Sequence, residues 1–94
     1  MKAWPFLDPP NVAVFTSKQI LDGVSWIHRV THDEEDGAWQ FHPIGGTRTA
    51  DLMIVGLRTV FELDPSIGRL ANLPLGSFAS RPTANIAWTI ERKH

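Results

Sequence analysis

Apolar residues recur along this chain mainly as short runs and as two-residue alternation, the pattern of β-strands. Val12-Ala13-Val14-Phe15 is a compact apolar run of the kind a buried strand shows. Thr16 or Ser17 can then cap a short helix through Lys18-Gln19-Ile20-Leu21-Asp22, which Gly23 is placed to end. From Val24 to Thr31 the residues are largely β-branched or aromatic. Val24, Trp26, His28 and Val30 point one way there, and Ser25, Ile27, Arg29 and Thr31 the other. Asp33 to Gly37 is a turn by composition. Ala38 to Ile44 returns as a strand, with Trp39 and Phe41 on one face and Gln40 and His42 on the other. Together the two segments predict a β-hairpin with a loop longer than two residues.

Gly45-Gly46-Thr47 breaks the pattern. Leu52-Met53-Ile54-Val55-Gly56-Leu57 is apolar throughout and predicts a central strand buried on both faces. Arg58 to Leu63 fits either a continuation of that strand or a helical turn. Asp64-Pro65-Ser66 is a helix start, with Asp64 as N-cap and Pro65 at the first helical position. Ile67, Leu70 and Ala71 fall on one face of that helix, and Pro74 with Gly76 ends it. Ser77 to Ser80, a turn over Arg81 to Asn85, and Ile86 to Arg92 predict a closing hairpin. Its second strand would turn Ile86, Trp88 and Ile90 inward and Ala87, Thr89 and Glu91 outward. Residues 1–11, with Pro5, Pro9 and Pro10, predict an extended arm that wraps the domain. No repeat or linker divides the chain, so residues 1–94 form a single domain. The expected class is α+β: a mostly antiparallel sheet of about five strands with two short helices packed on one face.

Composition narrows the possibilities. Hydrophobic residues at 43% and charged residues at 20% are those of a globular domain, and four Trp with five Phe supply a core without a metal or a disulfide. The absence of cysteine excludes a thiolate zinc site and a thiol nucleophile, and suits a cytoplasmic protein. No apolar run approaches a membrane span, so no membrane association is expected. A net charge of −1 gives no reason to expect nucleic acid. The charge is unevenly spread. Asp33-Glu34-Glu35-Asp36 makes the first half negative, while Arg58, Arg69, Arg81, Arg92 and Lys93 leave the second mildly positive.

Chemistry is sparse. The best candidate metal or acid/base cluster is His28, His32 and Asp33, with His42 nearby. On a helix His28 and His32 would share a face. On a strand they stand about 13 Å apart, too far for one metal. Cross-strand pairing that sets Trp39 and Phe41 beside Trp26 and Val30 sends His42 away from His28, so the three histidines are not expected to converge. The serines lie in no nucleophile elbow, and Gly45-Gly46-Thr47-Arg48 lacks the spacing and lysine of a phosphate loop. No catalytic residue and no cofactor is indicated. The acidic residues Asp33, Glu34, Glu35 and Asp36 at the hairpin tip, and Trp4 on the arm, are the candidate partner-binding residues.

Three segments together resemble a known family. They are Phe15 to Gly23 (FTSKQILDG), His32 to His42 (HDEEDGAWQFH), and Leu63 to Ile67 with Leu73 to Ser77 (LDPSI, LPLGS). In this order they resemble the bacterial immunity protein 33 family, over roughly residues 12–81. The resemblance implies a non-enzymatic protein that neutralises a competitor's toxin by binding it, and it implies no catalytic residues. The expectation is therefore a cytoplasmic binding protein with a protein toxin as its partner, either a monomer or a homodimer. The alternatives are a small metal-dependent site around His28, His32, Asp33 and His42, and a ligand-binding regulatory domain that pairs as a homodimer through a sheet edge or Trp4.

Overall fold

In chain order the strands are β1 (Ala13–Ser17), β2 (Arg29–His32), β3 (Trp39–His42), β4 (Leu52–Gly56), β5 (Ser77–Ser80) and β6 (Thr89–Arg92). Helix α1 (Lys18–Leu21) follows β1, and helix α2 (Leu57–Leu63) with a 3-10 helix (Pro65–Leu70) follows β4. This computed structural model describes residues 4–92; residues 1–3 of the arm and Lys93 of the basic second half lie outside the described residues. The strands form one sheet in the order β4-β1-β3-β2-β5-β6. All neighbours are antiparallel except β1 and β3. The described residues thus form an α+β domain around one mixed six-stranded sheet, in keeping with the expected class and its sheet of about five strands.

Local chemistry explains the first half well. Ser17 caps α1 by accepting a hydrogen bond from the Ile20 amide at 3.3 Å, which a four-residue helix needs because it has little stability of its own. The β2–β3 hairpin pairs Val30 with Phe41 and His32 with Trp39. Its loop closes through Asp33 and Asp36, whose carboxylates accept from the amides of Glu35 and Ala38 at 2.8 and 2.9 Å. Gly37 follows at φ 71°, in the left-handed region that favours glycine.

One face of the sheet holds the core. Val14, Val30, Phe41 and Ala79 point from the strands into a cluster with Ile20, Leu57, Val60, Ile67 and Leu70. The helical segments cover this face. The arm joins them: Phe6 is buried and meets the Trp39 ring edge-on at 5.4 Å. Asp8 fastens the arm by accepting from Trp39 Nε1 on its carboxylate at 2.8 Å and from Trp4 Nε1 on its carbonyl at 2.6 Å.

Three expectations change and one open alternative is resolved. Val24 to Thr31 is not one strand; β2 begins only at Arg29, because the amides of Val24 and Ser25 both donate to Gln19 O and finish α1 instead of joining a ladder. Both Ile27 and Val30 therefore reach the core, which strict alternation forbids. Leu52 to Leu57 is not a doubly buried central strand. β4 is an edge, paired only with β1, and its residues 52–54 are exposed. The closing strand is also an edge and starts at Thr89, leaving Ile86 and Ile90 exposed. Finally, Arg58 to Leu63 belongs to a helix, and the Asp64-Pro65 start opens a 3-10 helix in which Asp64 caps the Ser66 amide at 3.1 Å.

Candidate functional site

Period-two alternation places a second set of side chains on the opposite, uncovered face. From β4 across to β6 these are Ile54, Phe15, Gln40 with His42, Thr31 with Arg29, Phe78 and Glu91, each set by the register of its neighbour. Among the described residues the strands turn no member of the buried core toward this face. The 43–47 loop and the hairpin tip border an open depression of about 780 Å³, floored by Arg29, Thr31, Gln40, His42 and Phe78. Its acidic rim is Asp33, Glu34 and Glu35.

The floor is polar and held in place. Arg29 lies with its guanidinium 4.0 Å above the Phe78 ring, and no carboxylate pairs with it among the described residues. His42 is half-buried and its Nδ1 shares a hydrogen bond with Thr47 Oγ1 at 3.0 Å. Burial, and then the charge of Arg29, push the His42 imidazole below its ordinary value, so it stays neutral near neutrality. At the rim, Glu34 lies against Gly76. A Cβ there would meet Glu34 Oε2 at 3.1 Å, a side-chain tip that can yield, so it is the backbone at φ 79° that favours glycine.

His28, His32 and His42 all contribute to the lining of the depression, but their ring nitrogens are engaged by three different partners. His28 precedes β2 and donates from Nδ1 to Arg81 O at 2.7 Å. His32 lies on the covered side, stacked on Trp39 with 3.8 Å between ring centres, and donates from Nδ1 to Leu73 O at 2.7 Å. His42 lies on the uncovered face. Among the described residues no group of three or more His, Asp or Glu side chains is placed to hold a metal ion. The acidic tip has a mixed character. Asp33 and Asp36 spend a carboxylate oxygen each on the loop's own backbone, while Glu34 and Glu35 are exposed. Trp4 is half-buried, tilted against Phe6 and edge-on to Phe61, each at 5.4 Å between ring centres.

Sequence reasoning missed the most connected polar side chain. Arg81 is 3% exposed. Its Nε donates to Ile27 O at 3.0 Å, Nη1 to Ser66 Oγ at 3.0 Å and Ala84 O at 3.4 Å, and Nη2 to Asp64 Oδ2 at 2.5 Å. The Trp88 ring covers the guanidinium at 4.0 Å. Burial draws the Asp64 carboxyl upward, but hydrogen bonds from Ser66 and Arg81 and the charge of Arg81 outweigh it and hold the group below its ordinary value. Each guanidinium nitrogen already has a partner, so this cluster ties the 3-10 helix to the sheet. Four of the five guanidinium N–H groups have protein acceptors, and the side chain is almost wholly buried. The one signal in the sequence is that Asp64 and Arg81 each flank a proline, which marks turns and not burial.

No protein family, curated protein or solved structure searched matches this chain. Among the described residues no helix is long and apolar enough to cross a membrane.

Proposed function

We propose that this protein works by binding a protein partner, without catalysis, through the uncovered face of its sheet and the acidic hairpin tip beside it. One observation carries the reading. The sheet keeps its helical cover on one face and presents on the other an ordered polar floor around Arg29 and Phe78, with an acidic rim. Arginine is among the side chains enriched at the hot spots of protein interfaces. Glu34 and Glu35 add a negative field suited to steering a basic partner.

The resemblance to the immunity protein 33 family supports a particular partner, a toxin neutralised by occlusion in the cytoplasm. Co-production with the product of the adjacent gene tests this. The expected result is a stoichiometric complex and protection of growth; no complex and no protection would sink the reading. Charge reversal at Glu34 and Glu35 is expected to slow association and flatten its salt dependence. The volume of the depression also lies in the range of small-ligand sites, so a small polar ligand is the second reading. A thermal-shift screen of the isolated protein against small polar compounds separates the two: a ligand of the depression raises the melting temperature with the logarithm of its concentration above Kd, with no partner protein present.

A further inference from the structure

The two edges of the sheet are protected differently. β6 carries Glu91 and Arg92 among its four residues, and charged side chains discourage another strand from pairing there. β4, Leu-Met-Ile-Val-Gly, has no charge, no proline and no bulge over its five residues. Leu52, Met53 and Ile54 are 44%, 41% and 61% exposed. At its C-terminal end the chain turns inward, with the amides of Leu57 and Arg58 donating to Val12 O and Pro10 O, so it does not fold back over the edge.

We propose that β4 pairs with β4 of a second copy of this chain, antiparallel about a twofold axis, to make a continuous twelve-stranded sheet. The occupant follows from self-complementarity. Only pairing centred on Ile54 overlaps all five residues. It sets Leu52 against Gly56 of the second copy, Met53 against Val55, and Ile54 against itself, apolar on apolar throughout. The strand ends match in charge as well. Arg48–Asp51 flanks one end and Arg58–Glu62 the other, each an internally neutral pair, so antiparallel pairing brings no excess of like charge together. A net charge of −1 per chain adds little repulsion. With a twofold axis normal to the sheet, the two uncovered faces lie on the same side, giving a surface with two equivalent depressions. One short strand buries less than the roughly 800 Å² per partner of a standard interface, so the association is weak and concentration-dependent.

Sedimentation velocity over a roughly hundredfold range of concentration tests the proposal. The expected mass rises from the 10.5 kDa of one chain toward double that value. Ile54→Lys, which opposes two ammonium groups at the axis, is expected to hold the protein at the monomer mass, while Ile90→Lys on β6 leaves self-association unchanged. Because the chain has no cysteine, Ile54→Cys gives an independent reading. Directly opposed cross-strand Cβ atoms stand about 4.5–5.5 Å apart, close to disulfide reach, so mild oxidation is expected to link two chains and Ile90→Cys is not. A wild-type protein monomeric at every concentration, or an Ile54→Cys that links no faster than Ile90→Cys, overturns the proposal. These readouts need no toxin or ligand, so they stand or fall apart from the binding function.

Discussion

Residues 30 and 31 are neighbours on β2, yet Val30 is sealed in the core and Thr31 lies on the floor of an open depression. The same step separates Phe41 from His42 on β3. One face of this sheet is committed to stability and the other is free of that duty, although the two interleave residue by residue. Substitutions one position apart should therefore read out different properties.

The largest contrast is expected between Phe41 on the covered face and Thr31 on the uncovered one. Phe41→Ala empties a fully buried site and is expected to cost about 3–5 kcal/mol, measured by urea unfolding. Thr31→Ala on the other face should stay within about 0.5 kcal/mol. A comparable loss at both positions would erase the distinction between the faces.

Next comes the clamp beneath the covered face. Asp64→Ala strands the Arg81 guanidinium without its carboxylate and is expected to cost about 3 kcal/mol, whereas the double change with Arg81→Met should recover a large part of it. Its pH dependence has a definite sign. The folded Asp64 carboxyl lies below its ordinary value of 3.8, so its contribution is complete above about pH 4 and is lost as pH falls through the depressed folded value. An acid titration of stability should lose that slope in the Asp64→Ala variant.

Thr16 sharpens the comparison in the opposite direction. Its hydroxyl is buried on the covered face and has no hydrogen-bond partner among the described residues. Thr16→Val keeps the β-branched shape and is expected to stabilise the fold by about 1 kcal/mol, seen as a higher melting temperature.

The smallest effect belongs to His42. Because its folded value lies below 6.5, the unfolded chain takes up the proton first as the solution is acidified, and stability declines below pH 6.5 until the folded value is passed. His42→Gln should flatten that segment of the stability profile and leave the rest unchanged.

How much of this was legible in the sequence depended on the range of the interaction. The Ser17 cap, the Asp33–Gly37 turn and the Asp64-Pro65 start are local devices, acting within three or four residues, and the structure places each where the residues indicate. Trp39 and Phe41 were readable as core because β3 lies between two strands with the helical layer over one face. The same alternation failed at Ile86 and Ile90, and the apolar run failed at Leu52 to Ile54, because periodicity names a face but does not say what covers it. Burial there depends on how many strands stand alongside, which is decided by distant parts of the chain. Arg81 and Asp8 were invisible for the same reason: their partners lie as far as 54 and 31 residues away. In the candidate site, the acidic rim could be read directly, but Arg29 could not, since its platform Phe78 belongs to a strand joined only in three dimensions.

The position of the β2–β3 hairpin at the middle of the sheet also governs the order of assembly. Among the described residues it is the only central pair joined by a short loop, and β1 docks on its β3 side while β5 docks on its β2 side, both from far along the chain. Distant pairings are slow to find, so the domain should fold more slowly than a helical bundle of its size, with the hairpin as the template on which the flanks condense. Chevron analysis gives the signature: weakening Val30 should chiefly slow refolding, while weakening Val55 on the outer strand should chiefly speed unfolding.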